Sequence, residues 1–351
     1  MRRVTKLVAV VAAATFALAA CGGGSDDDSS TDAGGSSATS DVKVGLAYDV
    51  GGRGDQSFND SAATGLDKAK SEFGVEAKEL EASTGETDTQ REERLRLLAQ
   101  GGYNPVIAVG YAYATALGNV AKEFPDTQFA IIDDSTLADT ANVTSLVFAE
   151  EQGSYLVGAI AAEASKTGSI GYIGGVNTPL LQKFEAGFTQ GAEAVNKDIK
   201  VQVKYLSQPP DYSGFGAPDK AETTAQGMID ADADVIYAAA GGSGSGVFKA
   251  VKAAGADHWA IGVDSDQYLT AGDDVKDVIL TSMLKRVDTS VYDFVKSAVD
   301  GKVLTGVQEF DLSDEGIDYS TSNSAVESYE AKADELKKQI IDGDITVSDK
   351  P

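Results

Sequence analysis

The stretch from Trp259 to Lys285 decides the fold, and it reads WAIGVDSDQYLTAGDDVKDVILTSMLK. A first apolar run, Trp259–Val263, ends in Asp264, and a second run, Val278–Leu284, ends in Lys285. Short apolar runs bounded by polar residues are typical of buried strands in a parallel sheet. Open α/β sheets bind ligands in the crevice beyond the carboxyl ends of their strands. The pattern therefore predicts that an acceptor, Asp264, and a donor, Lys285, meet at one ligand-binding edge.

The same alternation of strands and helices continues outward from this stretch. Apolar runs and amphipathic segments alternate from residue 42 to residue 148, and the pattern restarts at residue 169 after an Ala- and Gly-rich helix. Repeated βα units with right-handed crossovers form parallel sheets covered on both faces. We expect an α/β fold with two doubly wound parallel-sheet lobes joined by multiple crossovers. The first lobe is predicted to hold 42–149 plus about 285–305, and the second 150–284 plus about 306–351.

The N-terminal segment predicts export and a lipid anchor. Residues 1–20 carry early basic residues and an apolar stretch, which is typical of a secretory signal peptide. Leu18-Ala-Ala-Cys21 resembles a bacterial lipobox, which implies cleavage before Cys21 and lipidation of its thiol. The alternative is an ordinary signal peptide with an incidental cysteine. Residues 21–41 are rich in Gly, Ser and Asp and predict a flexible tether that holds the body at a membrane surface.

Composition argues against several functions. The formal net charge of −26 disfavours nucleic acid, whose phosphates require Lys and Arg. His258 is the sole histidine and Cys21 the sole cysteine, which removes Ser-His and Cys-His catalysis and most zinc sites. The glycines of Gly241–Gly246 follow a strand but lack the dinucleotide spacing, and they equally suit a backbone close to a ligand. We expect neither an enzyme nor a cofactor.

Three predicted strands end in a carboxylate, namely at Asp49, Asp133 and Asp264. Each could be a turn cap without further role, and paired carboxylates could also serve as general acid and base. No nucleophile or metal cluster accompanies them in the sequence. Acceptors for ligand hydroxyl and ring N–H groups are the simpler interpretation.

Five motifs follow one another along the chain: Asp49–Gly52 with Asp55–Asn59, Phe184–Gly191, Ala240–Gly246, Ile261–Gln267 and Thr281–Arg286. In this order they resemble the motifs of the basic membrane protein family, lipoproteins similar to the purine nucleoside receptor type. The resemblance implies a type I periplasmic-binding-protein fold that delivers a nucleoside to the permease of an ABC importer, and we expect a monomer.

The resemblance also implies roles at the base of the ligand. Asp49 and Asn59 match positions that hydrogen-bond the base, and Phe58 and Phe184 match the aromatic pair that sandwiches it. Two aromatic rings offer flat faces to a heterocycle, although core packing is the alternative for both. Arg53 departs from the bulkier uncharged residue expected there, which leaves the preferred base open.

On the ribose side, Gly242, Asp264 and Lys285 match the binding positions, and Asp133 falls at the strand-end carboxylate of the first lobe. We expect the charges of Asp264 and Lys285 to satisfy each other in the empty cleft. Two other functions stay open: a receptor that presents a sugar or signalling molecule to a sensor system, and an enzyme such as a nucleoside hydrolase.

Overall fold

Strands and helices alternate along the part of the chain that this computed structural model describes, residues 40–83 and 85–351. The expected signal peptide, Cys21 and nearly all of the expected tether lie outside the described residues. None of the described helices combines the length and the apolar character needed to cross a membrane.

The first lobe is built on a six-stranded sheet in which every neighbouring pair is parallel. Its strands are β1 (Lys43–Ala47), β2 (Glu76–Leu80), β3 (Val106–Ala108), β4 (Phe129–Ile132), β5 (Val143–Phe148) and β11 (Gly306–Phe310). They lie in the order β11-β5-β4-β3-β1-β2. The helices of this lobe are α1 (Phe58–Phe73), α2 (Asp88–Gln100), α3 (Ala114–Glu123) and α9 (Val287–Val299). Every side chain of β3 and β4 is buried, as expected for central strands covered on both faces.

The second lobe repeats this architecture with one antiparallel edge strand. Its strands are β6 (Ser169–Val176), β7 (Lys200–Ser207), β8 (Val235–Ala239), β9 (Trp259–Asp264), β10 (Ile279–Lys285) and β12 (Ile317–Tyr319). Their order is β12-β10-β9-β8-β6-β7, and β12 runs antiparallel to β10. The helices are α4 (Glu150–Ala164), α5 (Pro179–Val195), α6 (Pro218–Ile229), α7 (Gly244–Ala254), the short α8 (Gln267–Thr270) and α10 (Glu327–Ile341).

Within the described residues the chain crosses between the two lobes three times: from β5 to α4, from β10 to α9, and from β11 to β12. Because each sheet is completed by strands or helices from both sides of these crossovers, neither lobe is one continuous segment. The predicted fold, two parallel-sheet lobes joined by multiple crossovers, is confirmed.

Two edge strands differ from what the sequence suggested. We placed residues from about 306 onward in the second lobe, whereas Gly306–Phe310 is the outer strand of the first sheet and pairs with β5. Its side chains alternate between half-buried and exposed, so the segment lacks the continuous apolar run of a central strand. The edge strand β2, with the polar sequence EAKEL, was missed because it also lacks such an apolar run. Both edges gain their stability from pairing with a neighbour, which local sequence does not reveal.

Helix α5 packs very closely on α4 because glycines face the contact. A Cβ atom at Gly187 would lie 2.0 Å from the carbonyl oxygen of Glu151, and one at Gly191 would lie 1.9 Å from that of Tyr155. Larger residues at either position would push the two helices apart. This close approach carries Lys183 and Phe184 of α5 to the start of α4, beside the first crossover.

Candidate functional site

The carboxyl ends of strands from both sheets face each other across the cleft between the lobes. Asp133 directly follows β4, while Asp264 and Lys285 are the last residues of β9 and β10. Neighbouring strands β9 and β10 pair Leu284 with Asp264, so Lys285 stands one residue further along. The predicted meeting of strand-end charges at one edge of the second sheet is therefore confirmed.

A narrow cavity of about 60 Å³ lies between these strand ends. Seven of the eight predicted ligand-binding residues line it; Gly242 does not, although its neighbour Gly241 does. The lining consists of Asp49, Val50, Asp55, Phe58, Asn59, Gly110, Tyr111, Asp133, Leu180, Leu181, Phe184, Phe215, Ala239, Gly241, Val263, Asp264 and Lys285.

A hydrogen-bond network in the cavity lining fixes Asp49 and Asn59. The backbone N–H of Asp49 donates to Asn59 Oδ1 at 3.0 Å, and Asn59 Nδ2 donates to Asp55 Oδ2 at 3.0 Å. Asp55 also accepts the backbone N–H groups of Ser57, Asn59 and Asp60, so it caps the start of α1 and orients Asn59. Asp55 lies within a sequence motif, but the motif indicated no role for it.

Burial shapes the carboxylate of Asp49. Removal from water raises the pKa of Asp49 to about 6, although the N–H of Val50 donates to Oδ1 at 2.7 Å and opposes the shift. Gly110 has a left-handed φ of 102°, and a Cβ atom there would come within 2.5 Å of Asp49 Oδ2. A glycine at this position thus makes room for the carboxylate.

Aromatic rings from both lobes form the cavity walls. Phe58 is the first residue of α1 in the first lobe, and Phe184 belongs to α5 in the second. A third ring, Phe215, follows β7 on the segment 208–217 and was missed because it carries no strand-end or motif signal. The two predicted rings therefore come from opposite lobes, as a stacking pair requires.

Lys285 is held by carboxylates from both sides of the first crossover. Its Nζ lies 2.6 Å and 2.7 Å from the two oxygens of Asp133 and 3.1 Å from Glu150 Oε1. Burial alone would lower the pKa of Lys285, but Asp133, Glu150 and Asp264 together raise it above its ordinary value. Burial raises the pKa of Asp133 to about 6 against the opposing charge of Lys285.

The predicted pairing of Asp264 with Lys285 is wrong, because each of these side chains bonds a residue of the opposite lobe instead. Asp264 Oδ2 accepts the hydroxyl of Ser57 at 2.5 Å, and burial raises the pKa of Asp264 to about 7. Asp133 reaches Lys285 from the first lobe and offers the ammonium a closer partner. Adjacent strand ends predict that two side chains lie close together. The residues of the opposite lobe determine which partner each side chain bonds.

Further contacts join the lobes around Ser57. Ser265 Oγ donates to the carbonyl of Ser57 at 3.0 Å, and Gln267 Nε2 donates to that of Gln56 at 3.0 Å. The loop before α1 is thus fastened to the end of β9 and to α8. These hydrogen bonds join the two lobes beside the cavity.

Arg53 lies away from the cavity. Its guanidinium bonds Glu79 at 2.6 Å and Asp67 on the outer surface of the first lobe, and it does not line the pocket. The departure noted in the sequence therefore fixes the loop 50–54 to β2 and α1 and makes no contact with the cavity.

The fold and the cavity between the lobes define a two-lobed binding protein. Residues 42–350 match the Bmp family, described as ABC transporter substrate-binding protein, PnrA-like, and the chain belongs to this family. The resemblance found in the sequence motifs is confirmed, and the coarse function follows: the protein is a substrate-binding component of an ABC transporter.

Named relatives agree. The chain is 35% identical over 329 residues to the ABC transporter nucleoside-binding protein BmpA of Lactococcus lactis, covering 89% of this chain and 90% of that one. It is 32% identical over 310 residues to basic membrane protein A of Borreliella burgdorferi, covering 87% of each. An ABC transporter solute-binding protein from Aeropyrum pernix superposes with a TM-score of 0.77 at 29% identity, covering 87% of this chain and 92% of that structure.

Proposed function

We propose that this protein captures a nucleoside, with purines favoured, between its lobes and delivers it to an ABC importer. The observation that carries the proposal is the combination of groups that line one cavity. Asp49 and Asn59, the rings of Phe58 and Phe184 from opposite lobes, and the strand-end charges of Asp133, Asp264 and Lys285 all belong to its lining.

This combination of groups suits the chemistry of a nucleoside. A heterocycle stacks between aromatic faces, and a carboxylate and an amide can accept and donate along its polar edge. A ribose offers hydroxyl groups that both donate and accept, which matches Asp264 and Lys285. A name printed for a similar protein, nucleoside-binding protein, supports the same ligand class.

A thermal-shift screen of the purified full-length protein tests the proposal. Adenosine, inosine, guanosine and uridine are compared with free bases and pentoses, since a ligand at 100 times its Kd stabilises by about 2.7 kcal/mol. We expect ribonucleosides to raise the melting temperature more than bases or pentoses. Stabilisation by pentoses alone would favour the sugar-receptor alternative.

The aromatic pair supplies a second test. Removing one ring of a stacking pair costs about 1–3 kcal/mol for bases bound elsewhere, so Phe58→Ala and Phe184→Ala should each weaken nucleoside binding about tenfold or more. The melting temperature of the ligand-free variants separates the alternatives. A loss of many degrees would assign the ring to the core instead of to the ligand.

The membrane anchor is the remaining part of the proposal. The Leu18–Cys21 motif supports lipidation of Cys21, which would tether the binding lobes at the extracytoplasmic face of the membrane. Cys21→Ser should release the protein from the membrane fraction and leave nucleoside affinity unchanged. Retention of this variant in the membrane would contradict the anchor.

A further inference from the structure

Lys285 has a second carboxylate partner, Glu150, that does not line the ligand cavity. Glu150 Oε1 lies 3.1 Å from Lys285 Nζ, and its side chain is 1% exposed. Asp133 and Lys285 both line the cavity, whereas Glu150 stands behind the ammonium at the wall of an adjoining cleft. A ligand hydroxyl can therefore compete with Lys285 for Asp133, while Glu150 keeps its contact with the ammonium.

Glu150 is itself fixed from several directions. It is the first residue of α4, directly after the first crossover, where the positive end of the helix dipole favours a carboxylate. Its other oxygen, Oε2, accepts from Lys183 Nζ at 3.2 Å, and Lys183 also donates to the carbonyl of Phe148 at 3.3 Å. The carboxylate is thus held between two ammonium groups on different elements.

The aromatic rings around the Lys285 ammonium do not fix its position, so these carboxylates determine it. Lys285 Nζ lies 5.0 Å, 5.3 Å and 5.5 Å from the ring centres of Phe148, Phe58 and Phe184. Ring faces attract a cation but without a sharply defined direction. Hydrogen bonds to charged oxygens are directional and stronger, so the carboxylates determine where the ammonium points.

We infer that Glu150 is a positioning residue for sugar selectivity. It anchors the Lys285 ammonium so that a ribose hydroxyl can accept a hydrogen bond from the ammonium while donating one to Asp133 or Asp264. Glu150 acts through Lys285 and does not contact the ligand. The inference rests on the proposed nucleoside function. Because selectivity and not overall affinity is at issue, the ratio of ribonucleoside to 2′-deoxynucleoside affinity is the quantity to measure.

The test compares Glu150→Gln with a matched control, Glu151→Gln. The neighbouring carboxylate of Glu151 also approaches Lys183, at 4.0 Å, but makes no ion pair with Lys285. Isothermal titration of the full-length protein with adenosine and 2′-deoxyadenosine gives the ratio for each variant. We expect Glu150→Gln to bind adenosine about tenfold more weakly, as one weakened charge-assisted contact implies, with little change for 2′-deoxyadenosine. Glu151→Gln should keep the wild-type ratio.

A wild-type affinity ratio in Glu150→Gln would overturn the inference. An equal fall of the ratio in Glu150→Gln and Glu151→Gln would also overturn it, because it would indicate a general charge effect. Should Glu150→Gln fail to fold, Lys183→Met serves instead, since it removes the ammonium that orients Glu150 from a side chain that is 30% exposed. It should lower the ratio in the same direction, and an unchanged ratio counts against the inference. A wild type that binds no nucleoside defeats the proposed function first, before any variant is compared.

Discussion

Asp133 ends β4 in the first lobe, and Asp264 ends β9 in the second. Both have left-handed backbone, with φ of 69° and 64°, and both side chains are buried and bonded to the opposite lobe. Asp133 meets the ammonium of Lys285, whereas Asp264 meets the hydroxyl of Ser57. One inter-lobe bridge is therefore ionic and the other is a hydrogen bond from a neutral donor.

The difference determines which bridge yields more readily to a ligand. Breaking the ionic bridge leaves the buried carboxylate of Asp133 without its partner, which is strongly unfavourable unless a ligand hydroxyl replaces it. A hydroxyl donor is readily replaced by another hydroxyl, because the carboxylate keeps an equivalent hydrogen bond. We infer that Asp264 exchanges Ser57 for a sugar hydroxyl more readily than Asp133 gives up Lys285.

The largest expected effect comes from removing the ionic bridge. Lys285→Met leaves the buried carboxylate of Asp133 without its ammonium and Glu150 with Lys183 alone, and breaking a buried pair in this way costs about 3–5 kcal/mol of stability. Urea denaturation measures the loss. The control is Lys276→Met, which removes an exposed, solvent-screened ion pair with Asp273 and should change stability little. Equal losses in the two variants would mean that the Lys285 bridge is no stronger than a surface pair.

Removing the neutral bridge should cost less. Ser57→Ala leaves the buried carboxylate of Asp264 without its donor, a penalty of about 1–3 kcal/mol. Because the lost bond joins the lobes, small-angle scattering of the ligand-free variant should show a larger radius of gyration. Ser61→Ala is the control, since Ser61 accepts from the N–H of Asp288 between two helices of the first lobe. A similar expansion in both variants would contradict a specific closing role for Ser57.

The two bridges also mark how far the sequence could go. The apolar runs before Asp264 and Lys285 are local patterns, and they correctly predicted neighbouring strands with charged ends. The partners of these charges are 207 residues away for Ser57 and 152 residues away for Asp133, so only the tertiary fold brings them together. Local periodicity carries no information about such long-range pairs.

The wall of the cavity shows the same division. Residues in recognisable motifs, such as Phe58 and Phe184, were predicted and line the cavity, whereas Gly242 missed it by one position. Phe215 was missed because it belongs to a short segment outside the main strands and helices. Glu150 was missed because an acidic residue in the first turn of a helix is ordinary. Their roles arise from packing against elements of distant sequence.

A smaller effect should separate the two carboxylates by their contact with a sugar. If Asp264 exchanges Ser57 for a ribose hydroxyl, 2′-deoxynucleosides should bind about tenfold more weakly than ribonucleosides, given the strength of hydrogen bonds to charged groups. Asp264→Asn should remove most of this preference for ribonucleosides and leave the effect of Phe58→Ala unchanged. Isothermal titration of matched ribo and deoxy pairs measures both. Equal affinities in the wild type would show that Asp264 does not read the sugar.

A final expected effect is a change in how stability depends on pH. Burial raises the pKa of Asp264 from 3.8 to about 7, so between these values the folded state keeps a proton that the unfolded state has released. Stability from this group is fully present below pH 3.8 and is lost as the pH rises toward 7. The advantage of the wild type over Asp264→Asn in melting temperature should therefore shrink across this window and level off above it. For Asp133→Asn the change should have the same sign, because burial also raises the pKa of Asp133 against the opposing charge of Lys285. A difference from wild type that stays constant across this window in both variants would mean that burial raises the pKa of neither carboxylate.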